Sequence, residues 1–216
     1  MANSNSRKKK LSARSRTQGT RPYRSLFAIV VEGQTELRYF TMPLFQDRNV
    51  KVEIRPGKQQ DPPALTRAAD DLLASLKRSG ALRAGDQAWI VLDKDDWTAN
   101  QLMEVFSWAN ARPDRGVGLT IPQFEYWLLL HFDDGKGAST QTEVLNALRC
   151  HIPHYQKAAP LTFTASEVTQ AVLRASARVP RPVANLAELN ENLGEGTAAT
   201  TVHFLAERLL ASLGHA

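Results

Sequence analysis

The chain has 216 residues, 43% of them apolar, which is enough for one well-buried core and excludes a disordered protein. A single cysteine, Cys150, excludes an internal disulfide and a cysteine-built zinc cage, and fits a reducing cytoplasm. The net charge of +5 belongs to one end: residues 1–24 hold eight of the 27 basic residues and no acidic one, which leaves the rest slightly acidic.

Residues 1–24 are also rich in Ser, Asn and Thr and have little to bury, so a disordered basic tail is predicted there. One reading makes Lys8, Lys9, Lys10, Arg14 and Arg16 an arm on nucleic-acid phosphates, with binding that weakens steeply in salt. The other makes the tail a solubilising terminus. No signal-peptide segment is visible at this end. The longest apolar run of the C-terminal half, Tyr126 to Leu130, is far too short to span a bilayer, so no membrane is expected.

The folded part begins near Ser25. Leu26–Val31 is an uninterrupted apolar run and predicts a strand buried on both faces. Thr35–Phe45 predicts a helix with Leu37, Tyr39, Phe40 and Leu44 as its apolar contacts. Val50–Arg55 alternates as a short strand, and a polar loop with Gly57 and Lys58 follows. Pro63–Arg78 has helical apolar spacing, and proline is tolerated in a first turn. Gln87–Leu92 predicts a third strand, which runs into "DKDD". A helix over Thr98–Ala109 and a strand over Arg115–Ile121 come next. Pro122–Phe132 reads as an apolar helix. Helices are predicted over Thr142–Leu148, Ala165–Ala177 and Ala198–Leu213, whereas Val179–Gly196 is broken by proline and glycine. His154 to Lys157, "HYQK", and the final helix either pack over the sheet or meet a partner.

Strands alternating with helices of crossover length predict an α/β fold, with a mostly parallel sheet and helices on both faces. Ligands of such sheets bind beyond the carboxyl ends of the strands. Glu32, Asp93, Asp95 and Asp96 would all emerge at that edge. Two unit charges ~4 Å apart repel by about 4 kcal/mol at an effective dielectric near 20, so such a cluster needs a cation or a proton. Mg²⁺, or Mn²⁺, suits oxygen ligands and is commonly held by one or two carboxylates plus phosphate. Asp93 and Asp95 share a side of an extended segment, and Asp96 points away as a cap. Gly33 permits close approach of a phosphate, and Glu32 is either a metal ligand or a general acid/base. The plainer alternative makes these acids strand-end caps and turn formers. Glu36, one turn beyond Glu32, reads as a solvated first-turn carboxylate.

"VVEGQTELRYF", "PGKQQDPPALTRAA", "WIVLDKDDW", "IPQFEYWLLLHF" and "GTAATTVHFLAERL" together resemble the RloB-like family, over about Leu26 to Leu210. These are prokaryotic proteins encoded near phage-defence genes. The resemblance implies a Toprim-like core over residues 25–135, with residues 136–216 as a helical extension packed on it. It also implies Glu32 as general acid/base and Asp93 and Asp95 as Mg²⁺ ligands. One departure is visible: the family's Ser-Asn-Pro run is Thr120-Ile121-Pro122 here, so the polar Asn is missing while Pro122 and Glu125 are kept. Glu125 is either a third ligand or a helix-start carboxylate, and His131 either a proton donor or a core residue. Lys58 and Lys94 are candidate phosphate contacts.

The function expected on these grounds is a Mg²⁺-dependent phosphodiester hydrolase, a nuclease in antiviral defence. The partners are nucleic acid, RNA or DNA, and a restraining protein of the defence system. The alternative is a non-enzymatic nucleic-acid- or partner-binding subunit. No Walker loop is present, which speaks against a P-loop ATPase.

Overall fold

The computed structural model describes residues 23–56 and 61–215. Its centre is a five-stranded sheet in the order β2-β1-β3-β4-β5. The strands are β1 (Ser25–Val31), β2 (Val50–Pro56), β3 (Gln87–Asp93), β4 (Arg115–Ile121) and β5 (Ala199–Thr200). The first four are mutually parallel and β5 is antiparallel to β4. Eight helices are present among the described residues: α1 (Gln34–Phe40), α2 (Pro62–Arg78), α3 (Ala99–Asn110), α4 (Glu125–Leu129), α5 (Gln141–His151), α6 (Ala165–Arg178), α7 (Leu186–Leu193) and α8 (Val202–Leu213).

Two-sided burial explains the unbroken apolar runs. Phe27, Ile29 and Val31 of β1 face one core, and Leu26, Ala28 and Val30 face the other. In β3, Trp89 and Val91 join the first core, and Ala88, Ile90 and Leu92 the second. Residues of α1, α4, α5, α6 and α8 cover the first face, and those of α2, α3 and α7 the second. The fold is therefore α/β, with helices on both faces. No helix among the described residues is long and apolar enough to cross a membrane.

Three boundaries differ from the sequence expectation. The predicted helix over Thr35–Phe45 stops at Phe40, and a 3₁₀ turn, Pro43–Phe45, follows, because Pro43 has no N–H with which to continue the ladder. The predicted helix from Pro122 contracts to α4, whose core is a single stretch of buried side chains. The predicted helix over Ala198–Leu213 opens instead as β5. There the Thr201 N–H donates to the Leu119 carbonyl (2.8 Å), its hydroxyl donates to the Val117 carbonyl (2.9 Å) and the same hydroxyl accepts from the Leu119 N–H (2.8 Å). Thr120 and Thr200 pair through their hydroxyls at 3.0 Å. In the region broken by proline and glycine, Asn185 caps α7 by accepting from the Glu188 N–H at 2.9 Å.

Close packing across the sheet makes Gly116 sensitive. A Cβ built there would sit 2.4 Å from the Trp89 ring, whereas one at Gly118 would meet its nearest neighbours at 3.2–3.3 Å. Gly116→Ala is expected to destabilise by about 1–3 kcal/mol and Gly118→Ala by less, measured by urea unfolding.

Candidate active site

Strand order sets the position of the site. From β1 the chain crosses to β2 on one side of the sheet, and from β3 to β4 on the other. The β1–β3 boundary is thus the point where winding reverses, which opens a crevice at the carboxyl ends of these two strands. Glu32 leaves β1 there and Asp93 closes β3. The Asp93 N–H donates to Glu32 Oε2 at 2.8 Å, so one strand end orients the acid on the other.

The cleft above them has a volume of about 250 Å³ and is lined by Glu32, Gly33, Thr35, Glu36, Asp93, Asp95, Phe124, Glu125 and Lys157. Larger hollows exist, among them one of about 510 Å³ between Asp70, Lys77 and Arg115. Chemistry rather than size singles out the small one, because five carboxylates from three strand ends meet there.

Three of the acids, Glu32, Glu36 and Asp93, reflect that crowding. Burial raises the Glu32 carboxyl to about 7, with the Asp95 charge adding and the Asp93 N–H and Trp97 indole opposing. Burial likewise raises Glu36 to about 7, with the Glu32 and Glu125 charges adding, while its own backbone N–H and Lys157 oppose. Asp93 is pushed well above the ordinary carboxylate range by burial first, then by Glu36, Glu32, Asp95 and Glu125. Its Oδ1 is shielded from solvent and has no hydrogen-bond partner. Orphaned buried acceptors are uncommon and mark strain or an occupant.

Glu125, 1% exposed, is the best supported acid of the group. The Tyr155 hydroxyl donates to its Oε1 at 2.9 Å and the Thr35 hydroxyl at 3.4 Å, while Lys157 Nζ stands 3.9 Å from Oε2. Asp95 is exposed and sits at φ 37, a backbone region that non-glycine residues seldom occupy. Gln141, at the start of α5, donates to Asp95 Oδ1 at 3.0 Å and holds it in place.

The structure brings Glu32, Gly33, Asp93, Asp95 and Glu125 together, as their places at strand ends suggest. Gly33 has a further reason to be glycine: a Cβ there would lie 2.8 Å from Glu36 Oε2, so its absence lets that side chain fold back over the cleft. Glu36 itself corrects the sequence expectation, since it is 4% exposed rather than solvated. Lys94 lines a neighbouring hollow with Asp96 and Trp97, and its Nζ donates to the Asp95 carbonyl at 3.2 Å. His131 does not line the cleft. It is buried, pairs through Nε2 with the Tyr39 hydroxyl (3.1 Å) and through Nδ1 with the Trp127 carbonyl (3.0 Å), and stacks on Phe163. Burial pushes it down to about 4, which leaves a neutral core imidazole. Lys58 and the basic residues Lys8, Lys9, Lys10, Arg14 and Arg16 lie outside the described residues.

Glu36 and Lys157 are the cleft residues that sequence reasoning missed. Glu36 had no signal of its own, because a first-turn carboxylate reads the same on a buried helix face as on an exposed one. Lys157 had none either, because it reaches the cleft from the loop after α5.

Comparison with curated proteins and with solved structures finds no match. A family described as RloB-like protein matches residues 27–209, a span that takes in nearly all of the sheet, the cleft and the first two thirds of α8. The chain therefore belongs to the RloB-like family.

Proposed function

We propose that the chain is a divalent-metal-dependent phosphodiester hydrolase, a nuclease serving prokaryotic antiviral defence. The observation that carries this reading is Asp93 Oδ1, a buried acceptor without a donor among four other carboxylates. Such an arrangement calls for positive charge.

Oxygen donors of this kind fit Mg²⁺ or Mn²⁺. Among the described residues no three acidic, histidine or cysteine side chains converge as a ready-made cage. Mg²⁺ seldom needs one, because it keeps several waters and takes one or two carboxylates with substrate phosphate. Asp93 and Asp95, with Glu32 beside them, would hold the ion. When bound, it supplies charge for the phosphate oxygens and lowers the pKa of water. The chain's own residues do the rest. Glu32, raised to about 7, exchanges a proton near neutral pH and so serves as general base toward water or general acid toward the leaving oxygen. Asp93 fixes its orientation through the 2.8 Å hydrogen bond. Glu125, held by Tyr155 and Thr35, forms the rigid far wall.

Family membership supports the defence role, and the sheet order with acids at its carboxyl edge is consistent with the Toprim-like core that the resemblance implies. The basic arm would add sequence-independent affinity for nucleic acid. The test is incubation of the full chain with mixed tRNA, single-stranded RNA and plasmid DNA in Mg²⁺, Mn²⁺ or EDTA. Cleavage of one substrate class, present with metal and absent in EDTA, is the expected result. No cleavage of any substrate, together with no Mn²⁺ binding by calorimetry, would overturn the reading in favour of a binding subunit.

A further inference from the structure

We propose that Lys157 is the phosphate-holding residue of this cleft, placed there by the loop after α5 to receive an anionic substrate group. The inference rests on the hydrolase reading for its chemistry, but not for its test.

Lys157 is the one cation among the described residues that line the cleft, and it faces five carboxylates. An approaching phosphodiester is repelled by those acids and needs a positive group at the mouth. The neighbouring Lys94 is turned away to the Asp95 carbonyl.

Its ion pair does not explain its position. Lys157 Nζ is 3.9 Å from Glu125 Oε2, and the lysine side chain is 61% exposed while the Glu125 side chain is 1% exposed. Glu125 already accepts from Tyr155 and Thr35 on its other oxygen. A lysine serving only to offset a buried acid would be drawn in to contact distance. This one lines the cleft while keeping most of its side chain in solvent.

The loop is fixed at both ends. Tyr155 is buried and donates to Glu125 at 2.9 Å, and the Ala158 N–H donates to the Thr35 hydroxyl at 3.4 Å. Between these two posts Gln156 and Lys157 are exposed. His154 and Ala158, which bracket the pair, both adopt φ 63. Non-glycine residues seldom occupy that region, and such strain collects where the surroundings hold a functional segment in place.

The experiment compares the wild-type chain with Lys157→Ala and Lys157→Arg. It measures Mn²⁺ affinity by calorimetry, binding of a fluorescent single-stranded oligonucleotide in Ca²⁺, and cleavage in Mg²⁺. Lys157→Ala is expected to keep its melting temperature and its Mn²⁺ affinity, to bind the oligonucleotide about tenfold more weakly, and to cleave ~10²-fold more slowly. Lys157→Arg should recover much of both losses. Unchanged oligonucleotide binding and cleavage in Lys157→Ala would overturn the proposal while leaving the hydrolase reading intact. If the wild type binds the oligonucleotide but cleaves nothing, the binding arm decides alone. A tenfold loss on Lys157→Ala then supports the phosphate site although the hydrolase reading has failed, and no loss removes it. Absence of oligonucleotide binding by the wild type also overturns the proposal.

Discussion

Asp93→Asn is expected to lose metal-dependent cleavage by ~10³-fold or more and, at the same time, to raise the melting temperature of the metal-free chain at pH 8. The two effects share one cause. Asp93 is the acid most surrounded by others, with Glu32, Glu36, Asp95 and Glu125 all raising it, and its Oδ1 has no donor. The amide keeps the shape, removes the charge and offers an N–H₂ to the neighbouring carboxylates. Relief of one unsatisfied buried group is worth about 1–3 kcal/mol, or a rise of ~2–10 °C for a chain of this size. Cleavage assays and scanning calorimetry on the same preparation check both halves. An Asn variant that cleaves like the wild type, or that melts lower at pH 8, would show that Asp93 is an ordinary strand-end acid.

The second large effect is on pH and metal together. Glu32 and Glu36 are each raised from 4.5 to about 7 in the folded chain. The folded state therefore binds protons that the unfolded state has already released between these values. That contribution to stability is full below about 4.5 and is lost as pH rises through about 7. Elsewhere the sign is opposite: Glu143 and Glu167, which accept the N–H groups of helix caps, lie below their usual range, and their contribution disappears on acidification. Burial also pushes His131 and His203 down to about 4, so their contribution, lost as pH falls below about 6.5, offsets the Glu32 and Glu36 slope between about 4.5 and 6.5. Metal-free stability should therefore be greatest near pH 6 and fall by roughly 1–2 kcal/mol by pH 8, allowing for the partial exposure of Glu32 and the coupling of the pair. Mn²⁺ should restore the loss, with a much larger shift in melting temperature at pH 8 than at pH 5.5. A flat profile from pH 5.5 to 8, or equal metal shifts at both, would contradict the clustered-carboxylate account.

The sequence carried the framework of this site well, for a physical reason. β1 and β3 are central strands buried on both faces, so their apolar runs stand out, and the first acid after each must emerge at the same edge. Glu32 and Asp93 were legible in that way. Glu36 was not, because first-turn carboxylates of exposed and buried helix faces look alike in sequence. Only the return of β4 and α4, which carry Glu125 into place, closes the space above it. His131 shows the opposite failure. A histidine at the end of an apolar helix suits catalysis or packing equally, and here Tyr39, Trp127 and Phe163 use both ring nitrogens and one face. Lys157 comes from a loop whose path depends on where Tyr155 is buried, which no local pattern encodes. β5 is too short, at two residues, to leave an alternating pattern at all.

That two-residue strand has a consequence for the timing of synthesis. Its Thr200 hydroxyl meets that of Thr120 across 80 positions of chain, and Thr201 completes the hydrogen bonding of β4 at Leu119 and Val117. At a ribosomal rate of ~5–20 residues per second, β4 waits roughly 4–16 s with an open edge after it is made. All five carboxylates already exist during that interval, while the strand that covers the edge of β4 does not. A nascent chain therefore carries every residue that lines the cleft before the outer edge of its sheet is paired, and β4 gains its last partner only once translation has passed Thr201.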